Sequence, residues 1–523
     1  MDRNKAIERL GSETAPWDFI IIGGGATGLG CAVDAASRGY RTLLVERHDF
    51  AKGTSSRSTK LVHGGLRYLR QGNLSLVLAA LRERGLLRRN APHLVHKLGF
   101  VIPAYRWHDK AFYGAGLRIY DSLAGKFGLG PSRILSRNET LERLPTLNAK
   151  NLRGGIMYFD GQFDDARLAI TLARTAADHG ATVLNYAKAV GFIKEGDRVS
   201  GVQILDEESG ARMEARGRCV INAAGVFCDE VRRLDDPLTP RMLVFSQGSH
   251  LVFDKHFHPG DDALMIPKTE DGRVLFAVPW HDRVIIGTTD VPVEDTTIEP
   301  APNESELSFL FEHAKKYLCR HPEPGDALSV FCGLRALVAS GSGRRVTSSL
   351  SRDHTIMISG SGLVTVTGGK WTTYRKMAAD AVEQAQTSAG FEHRPCQTER
   401  LFLHGWREES ARTATLAEYG SDADEIEGIA RGDPELAARL HPRLPAIGAE
   451  IVWAARHEMA RTVEDVLARR TRSLVLDTAA SIDAAPDAAR LLAHEIGRDD
   501  AWASDQVAKY CQIARRYLIE RYQ

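Results

Sequence analysis

The chain has 523 residues, more than one hydrophobic core ordinarily organises, so two or three domains are expected. Hydrophobic residues make up 43% and charged residues 26%, the proportions of a folded globular protein and not of a disordered or fibrous one. A formal net charge of +1 gives no global attraction to nucleic acid or anionic lipid, so nucleic acid is not an expected partner and any basic contact surface has to be local.

The seven cysteines (Cys31, Cys219, Cys228, Cys319, Cys332, Cys396, Cys511) show no CxxC or metal-ligand spacing. An odd, scattered set suits a reducing compartment better than a disulfide framework, and no metal site is expected. The N-terminal MDRNKAIERLGSETAPWD is polar and charged, without the apolar core of a signal peptide. No apolar run approaches the ~20 residues that span a bilayer, which leaves peripheral membrane binding open.

In chain order, the first informative stretch is DFIIIGGGATGLGCAVDAASRGYRTLLVER. Phe19 to Ile22 read as a buried strand, LGCAVDAASRG as a helix stopped by Gly39, and RTLLVER as a second buried strand ending at Glu46. Gly23, Gly25 and Gly28 give G-x-G-x-x-G inside a βαβ frame of ~30 residues. Gly23 makes the tight turn, and Gly25 lets the backbone beside Ala26 and Thr27 approach a pyrophosphate at the helix N-terminus. Gly28 permits close helix–strand packing, and Glu46 accepts hydrogen bonds from an adenosine ribose, which disfavours NADP. The motif alone does not separate NAD from FAD.

HDFAKGTSSRSTKLVHGGLRYLRQGN follows, dense in small hydroxyls, glycine and cations where an NAD domain would continue into an ordinary helix. Thr54, Ser55, Ser56, Ser58, Lys60, Leu61, His63, Gly64 and Gly65 are the candidates to wrap the second half of a large cofactor.

GGGATG, TSSRSTKLVHGGLRYL, INAAGVFCDEV, GTTDV and GGKWTTYRKMA follow one another in the order found in FAD-dependent glycerol-3-phosphate dehydrogenases. The chain resembles that family of respiratory, quinone-linked enzymes of the D-amino-acid-oxidase-like flavoprotein superfamily. HGGLRYL and GGKWTTYR carry the family-specific signal; the GxGxxG and AAG motifs are shared by many flavoproteins. The resemblance runs from Asp18 to Met377 and resumes at EMARTVEDVLARRTR, which looks like that family's helical domain.

The resemblance implies an α/β and α+β multidomain fold with noncovalently held FAD. A discontinuous Rossmann-like FAD-binding domain is expected over residues 17–100, 155–240 and 345–390. Its later pieces include the amphipathic helix and strand of RLAITLARTAADHGATVLNYAKAVGFI and the turn at Ala223, Ala224 and Gly225. A further glycine turn follows at Gly368 and Gly369, with Lys370, Trp371 and Thr372 near the flavin ring or its pyrophosphate. An antiparallel substrate or cap domain is expected over 101–154 and 241–344, from the short β runs SHLVFD, ALMIPKT, RVLFAVPW and RVIIGTTD, punctuated at Asp271–Gly272 and His281–Asp282. Residues 400–523, rich in Ala, Leu, Arg and Glu at helical spacing, are expected to form a small all-helical domain.

The family reaction removes a hydride from C2 of sn-glycerol 3-phosphate, delivers it to flavin N5 and yields dihydroxyacetone phosphate. Guanidinium groups suit the dianionic phosphate, and the motif positions nominate Arg67, Arg335 and Arg352, with Tyr68 adding a hydroxyl. His63 and His250 are the candidates for proton removal, without a choice between them. Lys370 is placed to offset the charge of reduced flavin and to touch substrate. His63, His250, Arg335 and Lys370 thus form the implied catalytic set. Thr289 and Asp290 read as active-site wall, and Arg57 is an unusual charge in the flavin loop.

Delivery of electrons to membrane quinone implies a peripheral protein on the inner, cytoplasmic face of the cytoplasmic membrane. LVLAALRERGLLRRNAPHLVHK and AYRWHDKAFYGAGLRIYDSLAGKFGLG combine cations with aromatics in a way that suits an anionic headgroup boundary. The C-terminal CQIARRYLIERYQ is a second candidate for that contact, or for a homodimer contact. Rival readings are a glycerol-3-phosphate oxidase using oxygen, an amine or amino-acid oxidase on the same fold, and a non-catalytic flavin-binding regulator.

Overall fold

The computed structural model describes residues 1–70, 72–269, 272–339, 354–408 and 416–519, with the side chains of Arg67 and Arg70 left aside. Arg352 and Asp271 therefore lie outside the described residues.

Two sheets and a helical domain make up the molecule. The first sheet runs in the order His354–Ile358, Val364–Gly368, Arg212–Asn222, Trp17–Ile22, Thr42–Val45, Thr182–Leu184. Its central strands are parallel, with Ile20 opposite Val220 and Ile21 opposite Leu44. Helices cover both faces of such a sheet, which is why FIII and TLLV are unbroken apolar runs, buried throughout. The glycine turn passes directly into the helix Ala26–Ser37. A Cβ on Gly28 would lie 1.9 Å from the Gly23 carbonyl oxygen, so the helix can approach the turn this closely only with glycine there.

Among the described residues the second sheet has ten strands, with Leu243–Asp254 pairing to Arg283–Gly287, Val291–Val293 and Ala327–Val338. His281 and Asp282 adopt left-handed φ (45° and 55°) in the turn between Leu275–Trp280 and Arg283–Gly287. Side chains alternate across this sheet. Leu251 and Phe253 enter a core with Leu310 of the helix Glu304–Tyr317, while Val252 and Phe331 enter one built largely from C-terminal helices.

Two expected boundaries move. The strands Val95–Ala104 and Gly154–Phe163 pair with each other in the second sheet, so the cap takes in residues placed above at the edges of the FAD-binding pieces. An apolar strand reads the same in either sheet; its partner is chosen by tertiary packing. The helix Asp165–Asp178, expected to be amphipathic with a solvated face, is buried along almost its whole length. C-terminal residues cover its polar side: Arg167 pairs with Glu458, Arg174 with Asp422, and Arg472 with Asp164 and Asp165 at 3.2 and 3.1 Å. Asp164, His281 and Glu418 come within 4.8 Å of one another at this junction, and the Arg472 guanidinium beside Asp164 already supplies its counter-charge.

After residue 416 the described chain is helical, from Ala423–Gly432 to Asp500–Ala514, around a core with Leu467, Leu492 and Tyr510. The described part of the C-terminal segment CQIARRYLIERYQ packs partly on its own chain. Tyr517 donates to Glu299 at 3.2 Å, and Ile519 is buried in the cap core.

Candidate active site

Two cavities, of about 610 and about 430 Å³, share Ala26, Thr27, Thr54, Ser55, Gly225 and Val226 in their walls. Together they form a long site with the helix Ala26–Ser37 starting at its middle. That helix has Gly25 as N-cap and no side-chain cap, so its first-turn N–H groups are presented to the site, except that Ala26 N donates to Ser55 Oγ at 2.9 Å.

Gly23, Gly25, Glu46, Ala223 and Ala224 line the smaller cavity with the shared residues. Glu46 accepts hydrogen bonds from Gly24 N at 2.6 Å and His48 N at 2.8 Å. Burial pushes its carboxyl above the usual range against the pull of these two N–H groups. A half-buried acid beside an uncapped helix N-terminus, on the wall of one cavity, fits an FAD with its ribose at Glu46 and its pyrophosphate at Gly25.

The flavin loop divides. Thr54, Ser55, Leu61, His63 and Gly65 line the larger cavity, as do Gly368, Gly369, Lys370, Trp371 and Thr372 from the second glycine turn. Gly368 and Gly369 both take positive φ (78° and 72°), which swings Lys370 onto the wall. The two segments are tied together: Trp371 Nε1 donates to the Ser55 carbonyl at 2.8 Å, and His63 N to Thr372 Oγ1 at 3.1 Å.

Four of the expected cofactor contacts are engaged by other parts of the protein. Lys60 is fully buried, with its ammonium 2.7 Å from Asp165 and 2.8 Å from the Ser56 carbonyl. Burial and the nearby Arg472 draw it down to about 8, against Asp165. Ser58 reaches the cavity edge, but its hydroxyl donates to Asp165 at 2.7 Å. Ser56 is buried, with its carbonyl also taking Arg472 at 3.0 Å. Gly64 turns its N–H to Tyr120 and Asp160, at 2.9 and 3.2 Å, behind the wall. In their place stands Thr59, overlooked between Ser58 and Lys60. It lines the cavity and shares a 2.8 Å hydrogen bond with His250 Nε2. Alternation along the loop was the available signal, since Ser58 and Lys60 turn to Asp165 while Thr59 and Leu61 face the cavity. Arg57, the unusual charge in the flavin loop, pairs with Glu299 at 2.7 Å.

His250 is 2% exposed and stacks on Phe331, centroids 4.6 Å apart. Burial, then the Arg335 and Lys60 charges, hold its pKa well below the ordinary value, so the ring is neutral. Arg335 projects from the strand Ala327–Val338 and donates to Thr288 Oγ1 at 3.0 Å and to the Thr289 carbonyl at 3.3 Å; Asp290 stands 3.5 Å away. Thr288 was not anticipated; it adjoins the expected Thr289 and Asp290. Lys370 Nζ lies 3.8 Å from the Tyr68 ring centroid. Arg67 stands in the helix Leu66–Arg70, between Leu66 and Tyr68, both of which line the cavity.

Two family models match the chain along most of its length. One, described as FAD dependent oxidoreductase, matches residues 18–375; another, the C-terminal domain of alpha-glycerophosphate oxidase, matches 355–503. The chain is 38% identical to the human mitochondrial glycerol-3-phosphate dehydrogenase over 97% of its own length and 73% of the relative's. Against a mitochondrial glycerol-3-phosphate dehydrogenase of Arabidopsis thaliana the identity is 39%, over 96% and 86%. Among solved structures, the glycerol-3-phosphate dehydrogenase of Bacillus halodurans complexed with FAD superposes with a TM-score of 0.80 at 28% identity, covering 99% of this chain and 97% of that one. The L-alpha-glycerophosphate oxidase of Mycoplasma pneumoniae shares the fold, with a TM-score of 0.57 at 17% identity over 73% of this chain and 97% of its own. By fold and site the chain is an FAD-dependent oxidoreductase. Within that class it belongs to the glycerol-3-phosphate dehydrogenase family.

Proposed function

We propose that the protein oxidises sn-glycerol 3-phosphate to dihydroxyacetone phosphate and passes the electrons to a membrane quinone. The observation that carries this reading is the pair of cations, Arg335 and Lys370, on the wall of the same cavity that the cofactor-type helix N-terminus opens into. Bound FAD supplies the two-electron acceptor for the hydride that leaves C2.

The chain's own residues do the rest. The Arg335 guanidinium takes the phosphate in a forked contact, with Arg67 and Arg352 as its proposed companions and the Tyr68 hydroxyl as a neutral donor. Lys370 places a positive charge where negative charge develops. Neutral His250 orients the Thr59 hydroxyl and is not the group that charges at neutrality. Of the two histidines lining the cavity, His63 is then the proposed proton acceptor for the C2 hydroxyl. Phe100, Tyr158, Met265 and Phe276 give the wall an apolar section that excludes water.

A lipid-borne acceptor is supported by what lies behind that section. Phe100, Tyr158 and Met265 share a core with Val77 and Leu81 of the helix Leu74–Asn90 and Leu117 of the helix Asp109–Ala124. On the outer side of these elements Leu74, Leu78, Trp107, Phe112 and Ile119 are exposed, Trp107 to 81%, beside Arg106, Arg118 and Lys126. No helix among the described residues is long and apolar enough to cross a membrane, and this surface suits peripheral attachment to an anionic leaflet. The cytoplasmic side of the cell membrane is the proposed location.

The decisive experiment adds sn-glycerol 3-phosphate anaerobically to the FAD-loaded protein and follows the visible flavin absorbance. Rapid bleaching, absent with glycerol or an amino acid, is expected. Return of colour with a quinone analogue but slowly with oxygen distinguishes dehydrogenase from oxidase. A loaded flavin that stays oxidised overturns the substrate reading.

A further inference from the structure

The helix Glu304–Tyr317 begins with a capping box, in which Asn303 Oδ1 accepts from Glu306 N and Glu306 Oε2 accepts from Asn303 N at 3.0 Å. One such N–H is all that capping asks of this carboxylate. Glu306 is nevertheless 1% exposed and collects three more donors from other elements: Gln247 Nε2 at 2.7 Å, Ser249 Oγ at 2.8 Å and Thr289 Oγ1.

Of these three residues Thr289 touches Arg335, and Gln247 and Ser249 flank the point where the arginine crosses the neighbouring strand. Gln247 and Ser249 stand opposite Leu334 and Cys332, the strand segment that leads into it. Gly248 lies between them, where a Cβ would sit 2.2 Å from the guanidinium, so the arginine crosses the strand there and comes to rest on Thr288 and Thr289. The Thr289 hydroxyl is held from both sides, donating to Glu306 and accepting from Ser249 N at 2.8 Å, while its carbonyl accepts from both terminal nitrogens of Arg335. Glu306 thus acts on the guanidinium through a neutral residue: it orients the cation without contacting it.

We propose that Glu306 is a positioning residue for substrate binding, fixing the Thr289 carbonyl and through it the Arg335 guanidinium in the orientation that receives the substrate phosphate. This rests on the reading of Arg335 as a phosphate ligand. A Gln at this position keeps one accepting oxygen and turns an N–H₂ either toward Gln247 Nε2 and Asn303 N, which can only donate, or toward the Ser249 and Thr289 hydroxyls, whose hydrogen bonds must then reverse, so the four-donor arrangement that holds Thr289 is broken.

The test is a double-mutant cycle on the FAD-loaded protein, with Glu306→Gln, Arg335→Ala and the pair, reading kcat, KM, flavin content and Tm. Glu306→Gln is expected to raise KM for sn-glycerol 3-phosphate about tenfold, with a smaller change in kcat, and to add less than about twofold once Arg335 is gone. Thr289→Val removes the same link and leaves the capping box intact, so it should reproduce the KM rise even where Glu306→Gln folds poorly. An unchanged KM in Thr289→Val and Glu306→Gln, or a Glu306→Gln effect undiminished in the Arg335→Ala background, overturns the positioning role. An unchanged KM in Arg335→Ala itself overturns the phosphate reading beneath it.

Discussion

Arginines crowd two regions of this molecule, and the two use them in opposite ways. Where the C-terminal helices meet the FAD-binding domain, Arg167 is taken by Glu458, Arg469 by Asp49, Glu464 and Asp465, Arg470 by Asp49, and Arg472 by Asp164 and Asp165, all deep in the interior. At the reaction cavity Arg335 rests on a threonine hydroxyl and a backbone carbonyl, with the Asp290 carboxylate at 3.5 Å. The first set pairs each guanidinium with carboxylates in the interior and fixes one domain on another; at the cavity neutral oxygens set the direction of Arg335, and its ion pair with Asp290 is the longer and more exposed one, on the wall that faces an anion. The comparison predicts that losing an arginine in the first region costs stability and in the second costs turnover.

The largest effect is expected at the cavity. Arg335→Ala should lower kcat/KM for sn-glycerol 3-phosphate by about 10²–10³-fold, the loss of one forked contact to a buried dianion. Flavin content and Tm should stay near the parent values. Steady-state kinetics beside a flavin spectrum reads both, and a collapse of Tm with intact kcat/KM in the surviving fraction would reverse the comparison.

Next come the closed pairs. Arg167→Ala leaves Glu458, which is 0% exposed, with only Trp453 Nε1 at 3.2 Å and the more distant Arg470 at 3.9 Å, and should cost about 3 kcal/mol in denaturant unfolding while kcat/KM per flavin-loaded molecule holds. The same pair has a pH signature. Burial alone would raise the Glu458 carboxyl, but Arg167 holds it down at about 2, against 4.5 ordinarily. A depressed acid contributes stability that is present above pH 4.5 and lost as pH falls toward 2, here about 3 kcal/mol. Glu458→Gln should flatten that part of the acid limb; a slope identical to the parent's would remove the pair from the account of acid unfolding.

How much of this was legible before folding differs between the regions for a physical reason. GGGATG with Glu46, and GGKWTT with Lys370, are local: a turn, a helix start and a side chain a few residues on, so their placement on the cavity wall follows from backbone geometry that neighbouring residues dictate. HDF and SSRSTK were harder, because Asp49 and Lys60 face partners more than a hundred residues away, Arg470 and Asp165, that no spacing rule reaches. The helix Asp165–Asp178 read as half solvated because its charges look like a surface, until another domain's charges cover them. Residues 155–163 were expected within the FAD-binding domain, but the strand Gly154–Phe163 joins the other sheet by pairing with Val95–Ala104. Glu306, three residues past its cap, looks like any capping-box acid, and its three further donors are visible only in the fold.

The smallest expected effect sharpens the comparison, since it concerns a charge at the domain boundary that pH can switch off. His404 sits between Asp178, at the end of the helix Asp165–Asp178, and Asp422 of the C-terminal domain, with ring nitrogens 2.5 and 3.1 Å from them. Burial disfavours the imidazolium, but the two carboxylates outweigh it and hold the ring up at about 9, against 6.5 ordinarily. A raised histidine contributes stability that is complete below pH 6.5 and lost as pH rises through 9, the opposite sense to Glu458. Asp178 is 53% exposed, so solvent screening limits the contribution to about 1 kcal/mol. His404→Asn should therefore lower Tm slightly at pH 6.5, and the gap to the parent should close by pH 9 and above. A gap that stays constant across that range would mean that His404 serves the boundary as packing, and that the boundary's charge balance resides in its arginines alone.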